Sequence, residues 1–591
     1  MQLTFGPFVL DEEARALMLR GQARHVQPRV FDLLAYLVRN AGRVVPKDEL
    51  LDALWPNVTV TESSLQRAAS LARRVLAEGG VGEALRNFAR HGYRFALDAQ
   101  GFGGPASIPP VAEGAGLAAA RAAMSKYDWD AATGLFAEAS AAGPLDAEDF
   151  ELWALADECR GHPVAALPAL HRAIEAHLAA GRNDKAARTA TTVARVELER
   201  GSSAAAQGWL ERAGTILADA DNAGVRAHLL WMRSRLAASS GRPEDALRLA
   251  SSAAELGASA GDPGLEALTL VYKGFFQMSL GQIEEGSRLQ NHAAAIALSS
   301  HVDPITGSLV YCNILWTCRT FADWERALQW SDGFDSWCDA SFAERPGSCN
   351  LHRAEILGAR GTLIEAFDAI SRALPKLIEE ESWSLGDGYR VRGDVAAMLG
   401  DFVTADADYA MAYALGWDAE PGHAVRLFEQ GDAEAALTAL DRTMQGRGWF
   451  HLQRHGVLLV NAARIAAKSG DAARAEGYLA ELTGSEERWP QPAIRAMIAE
   501  TRAALLPVGD LQATQLRILA RQLWTSAKVD YHATRVRLEL AEGYIAAGDK
   551  PGAEAELGAA EMTARRIGSP RLIEAAAALR HEASIGKMIS I

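Results

Sequence analysis

The sequence predicts a mainly α protein in which a small α+β domain is followed by a long α-helical solenoid. Three observations carry that expectation. At 591 residues the chain exceeds what one hydrophobic core organises. Its composition, 49% hydrophobic and 23% charged with abundant alanine, favours folded helix over strand or disorder. A short glycine marker also recurs at near-constant spacing from Gly161 to Gly548. The boundaries that follow are 1–98 for the small domain, 99–112 for a linker and 113–591 for the repeats.

The head begins with LTFGPFVLD and ARALMLRGQARHVQ, apolar segments separated by Asp11, Glu12 and Glu13 and broken at Gly21, which read as a small antiparallel sheet. PRVFDLLAYLVRNAG is a helix opened by Pro28, with Phe31, Leu34, Leu37 and Val38 on one face and a stop at Gly42. A second helix lies between Pro46 and Pro56, turning Leu50, Leu51 and Leu54 inward. The third, TESSLQRAASLARRVLAEGG, is capped by Thr61 or Ser63 and buries Leu65, Ala69, Ala72 and Leu76. Its other face carries Gln66, Arg67, Ser70, Arg73 and Arg74. LRNFARHGYRF, 85–95, reads as two short strands turning near Arg90 to Gly92.

Charge sets the two parts against each other. Residues 1–97 hold 13 Arg/Lys and 10 Asp/Glu, a net +3, so the remainder carries −18 of the chain's −15. An acidic body repels nucleic acid and confines phosphate contact to the head. Amide and guanidinium side chains on the third helix suit base edges in a major groove, and a basic-tipped hairpin suits the adjoining minor groove.

The order of VFDLLAYLVRNAGRVVPKDELLDALWP, VTESSLQRAASLARRVL and RHGYRF resembles the winged helix-turn-helix domain of OmpR/PhoB and CadC/ToxR-type transcription regulators, over about residues 3–97. The resemblance implies that the helix beginning near Thr61 enters the major groove, with Ser63, Gln66, Arg67, Ser70, Arg73 and Arg74 as its DNA contacts. Arg90, His91 and Arg94 are then contacts of the wing, while Tyr93 and Phe95 pack it onto the core. The loop with Trp55, Asn57, Val58 and Thr59 matches the segment that in this family faces RNA polymerase. Ala68, Ala69 and Ala72 depart from many relatives by leaving the helix surface small.

GFGGPASIPP, 101–110, has linker composition. Beyond it the marker, a glycine or its substitute followed five positions later by a small residue, falls at Gly161, Gly201, Gly241, Gly281, Ala322, Gly361, Gly400, Gly431, Gly470, Gly509 and Gly548, at intervals of 39 to 41 except for one of 31 after Gly400. Glycine ends a helix in a tight turn and the small residue lets the next helix approach, so each interval is one helical hairpin. The 31-residue interval is a shortened repeat. MSLGQIEEGSRL and AMLGDFVTADADYAMAYALG resemble tetratricopeptide repeats, with a longer period. VYCNILWTC, WCD, CNLHRAEILGARG and GWDAEPGHAVRLFEQGD, within 261–435, resemble the repeat-containing sensor region of LuxR-type regulators and imply a regulatory module.

Tyr311, Trp316, His352, Arg353, Glu355 and Tyr389 form the candidate lining of a ligand groove, in a region that also holds Trp324, Trp330, Trp337 and Trp383. Cys312, Cys318, Cys338 and Cys349 precede His352, but their spacings of 6, 20 and 11 match no common zinc motif, and core packing is the simpler reading. No metal and no cofactor are expected. GxxxxGK[ST], GxSxG and HExxH are absent, so a non-enzyme is expected. No run of roughly 18 apolar residues and no signal-peptide pattern occur, which points to the cytoplasm without a membrane partner. The expected function is one-component transcription regulation, as an activator. Its expected partners are double-stranded DNA, RNA polymerase, and a small molecule or protein on the repeats, with a homodimer on DNA. The alternative is an interaction scaffold whose head is a docking module.

Overall fold

The computed structural model describes residues 115–217, 222–299, 302–484 and 489–589, and in the head most of 2–54 with parts of 65–95. The chain is mainly α-helical and divides into two compact units, Met1–Ala112 and Glu113–Ile591. The linker expected at 99–112 lies outside the described residues.

In the head, Gln2–Phe5, Phe8–Asp11, Ala16–Leu19 and Gln22–Arg24 form an antiparallel meander in sequential order. Alternation turns Phe8, Leu10, Leu17 and Leu19 onto one face, where all are buried. Helices Pro28–Arg39 and Lys47–Leu54 cover that face, and the described residues between 65 and 76 are helical. Phe31, Leu34, Leu37, Leu50, Leu54, Leu65 and Leu76 join the same core, each contributing roughly 2 kcal/mol of burial. The hairpin pairs Leu85–Phe88 with Gly92–Phe95, and Val45–Pro46 adds a third strand beside Gly92–Phe95. That third strand has no signature in sequence, because two residues carry no periodicity. Ala68, Ala69 and Ala72 are all buried, so their small side chains serve helix packing and do not thin the exposed face.

The repeat unit is a chain of helical hairpins. Every marker residue has a positive φ, including Ala322 at 53°, and stands between the two helices of its pair. In five of the later repeats the glycine is followed by an aspartate, and Asp401, Asp432, Asp471, Asp510 and Asp549 each accept from a backbone N–H in the next helix. One dipeptide thus ends one helix and caps another, the cap alone supplying about 1 kcal/mol. The small residue five places on is buried, as at Ala166, Ala246, Ala366, Ala436 and Ala475. At Gly286 a Cβ would lie 2.5 Å from the Gly274 carbonyl oxygen, so that pair of helices approaches closer than alanine permits. The short interval loses its residues from one helix, Gly422–Glu429, which has 8 residues where its counterparts have 13 to 20.

The first helices of the pairs line the inside of the superhelix, and its turns touch. Trp129 Nε1 donates to Ser341 O at 3.0 Å, Trp383 N to Glu199 O at 3.0 Å, and Ser569 Oγ to Met398 O at 2.9 Å. Gln453, fully buried, accepts from Thr320 Oγ1 at 2.8 Å and donates to Ser279 Oγ at 2.9 Å. Apart from Thr320 to Gln453, which spans 133, these contacts span 171 to 212 residues, so one turn takes about five of the 40-residue repeats. The winding brings these turns into contact, and the concave side holds partly open cavities.

Candidate functional site

The head's expected DNA-contacting residues are only partly described. Ser63, Gln66, Arg67, Ser70, Arg74, Arg90 and His91 lie outside the described residues, as do Trp55, Asn57, Val58 and Thr59. Arg73 is half-buried, its Nε donates to Leu85 O at 2.9 Å, and its guanidinium lies 5.9 Å from the Tyr93 ring centre. It ties the third helix to the hairpin. Arg94 is half-buried on the middle of the last strand, with register partner Arg86. Tyr93 and Phe95, the alternate positions of that strand, point into the core.

The interior of the repeat unit holds two cavities. The first, about 360 Å³, is walled by Tyr272, Phe275, Trp316, Trp383 and Trp449. Trp316 packs against Trp383 and Trp449 with ring centres 5.1 and 5.3 Å apart, and Phe275 lies 5.1 Å from Trp449. Its polar edge is a closed set of ion pairs: Arg195 bonds Glu158 and, at 2.7 Å, Glu199, which also accepts from Arg235 at 3.1 Å. Cys312 lines this cavity with its Sγ 3.5 Å from that of Cys349.

The second cavity, about 220 Å³, adjoins Trp316 from another side. Its wall is a stripe of the helix Trp449–Lys468 formed by Phe450, Arg454, Val457, Asn461 and Arg464, alternating steps of four and three that place them on one helical face. Opposite, Arg319 donates to Glu355, to Asp387 at 2.7 Å and to His352 Nδ1 at 2.7 Å. Arg390 bonds Asp387 at 2.6 Å, Asp394 at 2.7 Å and Glu355 at 3.1 Å. Burial works to raise the Asp387 carboxyl, but Arg390 and Arg319 hold it below its usual range. For Asp394 burial wins, opposed by Arg390, and the group is pushed up to about 6. Since arginine only donates, the contact with Arg319 makes His352 Nδ1 an acceptor and leaves the proton on Nε2; burial keeps this ring neutral by depressing its pKa.

Of the six residues expected to line one groove, the structure brings three to the cavities. Trp316 borders both, His352 the first and Glu355 the second. Three lie elsewhere. Tyr311 is buried against Phe334 and Trp337, ring centres 5.2 and 5.4 Å away, and reaches neither cavity. Arg353 turns to the outer helices, 3.7 Å from Asp335 and 3.6 Å from Glu365. Tyr389 lies under Arg392, 5.5 Å from its guanidinium. All three share helices with true lining residues but point along other faces. Arg454, Asp387 and Arg390 escaped the sequence reading, although charged residues at core-facing helical spacing were the available signal.

A family model described as "Transcriptional regulatory protein, C terminal" matches residues 21–95. The head carries an OmpR/PhoB-type regulator domain. Over 95 residues the chain is 30% identical to the transcriptional regulator HilA of Salmonella typhi, a match covering 16% of this chain and 17% of HilA. Over 53 residues it is 40% identical to the sensory transduction protein RegX3 of Mycobacterium leprae, covering 9% of this chain and 27% of that protein. The chain spans about a sixth of HilA's length. Among solved structures, a Rap protein complexed with competence and sporulation factor is 12% identical over 76% of this chain and 97% of that one, with a TM-score of 0.22. Among the described residues no helix is long and apolar enough to cross a membrane.

Proposed function

We propose that this chain is a cytoplasmic, sequence-directed DNA-binding transcription regulator, acting as an activator, whose repeat unit receives the controlling signal. The observation that carries the reading is the regulator domain at 21–95 together with a hairpin whose apolar residues face inward at Tyr93 and Phe95. In this reading Ser63, Gln66, Arg67, Ser70 and Arg74 meet DNA from the third helix, and Arg90, His91 and Arg94 meet it from the wing. Arg73 acts through the terminal nitrogens that its bond to Leu85 leaves over. The loop at Trp55, Asn57, Val58 and Thr59 faces RNA polymerase, and two chains pair on DNA. A small molecule or protein bound by the repeats changes regulation to the extent that it binds two states of the unit unequally.

Genome-wide occupancy of the wild-type chain beside an Arg67→Ala/Arg90→Ala variant, with transcript levels from the same cells, tests this. Discrete sites lost in the variant, with falling transcripts beneath them, are expected. Absence of discrete sites would replace the reading with that of an interaction scaffold.

A further inference from the structure

Arg454 is the one arginine of the second cavity that lacks a carboxylate. The other cations are matched. Arg319 and Arg390 share Glu355, Asp387 and Asp394. Arg535 bonds Glu500 and, at 3.0 Å, Glu539, which also takes Lys468 at 2.7 Å. Arg464 lies 3.6 Å from Glu500, and Arg571 pairs with Glu429. Seven cations thus meet six carboxylates, and burial with Arg535 pushes His532 to its neutral form. Arg454 is 6% exposed. Its Nη2 donates to the Glu420 carbonyl, and its Nη1 is buried with no hydrogen-bond partner among the described residues. The Glu420 carboxylate is turned away, toward Tyr413 and Thr443. Burial and the Arg390 charge push the Arg454 guanidinium down to about 10, so it is charged at neutral pH.

Besides the Glu420 carbonyl the guanidinium has the Phe450 ring, centred 4.7 Å from its carbon, and a buried cation with no carboxylate bonded to it is costly. Val391, Val395, Met398, Val425 and Met497 supply apolar side chains to the same wall. The surplus is a single charge and the volume, about 220 Å³, suits a small molecule. We infer that this cavity binds a small organic monocarboxylate with an apolar body, its carboxylate pairing with the Arg454 guanidinium and its body lying against the valine and methionine residues of the wall. The inference deepens the ligand-controlled reading above and rests on it only for the consequence at DNA.

The test uses the full chain, with phenylacetate and hexanoate as probes, phenylacetamide and hexanamide as their neutral counterparts, and inorganic phosphate as the bare anion. Tryptophan fluorescence reports binding, since Trp316, Trp324 and Trp524 line the cavity, and calorimetry gives the affinity. Saturable binding of at least one acid is expected, about tenfold tighter than its amide, as one charge-assisted hydrogen bond supplies. Arg454→Gln is expected to erase that acid-over-amide preference, and Arg454→Lys to restore part of it. Failure of both acids to bind, equal binding of acid and amide, or an equal response to phosphate would overturn the inference. The wild-type comparison decides the matter even if Arg454→Gln does not fold. Repeating the DNA occupancy measurement with the bound acid separates the two claims: binding without any change at DNA sinks ligand control by this acid and leaves the site standing.

Discussion

The two units of this chain hold their charges in opposite places. In the head, every described buried residue is apolar, from Phe5 and Phe8 to Phe95, and its described charged groups are at most half-buried. In the repeat unit, charges are buried in series along the inner helices, from Glu158 and Arg195 through Arg319, Asp387 and Arg390 to Glu500. What the difference teaches is where to look in each: in the proposed reading the head meets DNA through polar side chains outside its apolar core, whereas any ligand of the repeat unit meets the same ion pairs that hold the unit together.

The sharpest way to break that comparison is to remove a buried charge. Asp387→Ala leaves Arg319 and Arg390 short of a partner, and is expected to destabilise the repeat unit by about 3–5 kcal/mol. Calorimetry should show its transition falling while that of the head stays in place; a shift of both would deny that the units store stability separately. Next in size is Arg67→Ala, expected to weaken DNA binding by about 1–3 kcal/mol without moving either thermal transition. Electrophoretic mobility shifts across a salt series would check it, and a loss of head stability would put Arg67 in the core.

Arg73 stands between these cases. Its bond to Leu85 O predicts that Arg73→Ala costs the head about 1 kcal/mol, a loss visible in denaturant unfolding of the isolated transition. The remaining prediction is a titration. The Asp394 carboxyl rises from 3.8 to about 6 in the folded chain. A raised acid favours the protonated native state, so its contribution is complete below pH 3.8 and is lost as pH rises through 6. The melting temperature of wild type relative to Asp394→Asn should fall across that window, and a flat difference would remove burial as the governing force at this group.

Much of this was legible in the sequence because it is local. The glycine at each marker needs only its own backbone and the next helix's first turn, so a 40-residue period and the shortened repeat after Gly400 could be read without coordinates, although not that the loss falls on the helix Gly422–Glu429. Amphipathic spacing in the head likewise placed Phe31, Leu34 and Leu37 in a core. The candidate lining was legible only in part. Trp316, His352 and Glu355 reach the cavities, while Tyr311, Arg353 and Tyr389, from the same helices, face elsewhere. A rotation of about 100° per residue separates these outcomes, and residue type does not report it.

By itself, then, the sequence determined a basic winged head, a run of helical hairpins and the position of each hairpin's turn, because short-range sterics, capping and periodicity act within a few residues. Only the tertiary structure decided how tightly the hairpins wind. Small angles between neighbouring pairs add up over about five repeats until Trp383 meets Glu199 and Gln453 meets Ser279. That sum gathers the inner helices around the cavities, and it leaves Arg454 lining one of them with a carbonyl and a ring but no carboxylate bonded to it.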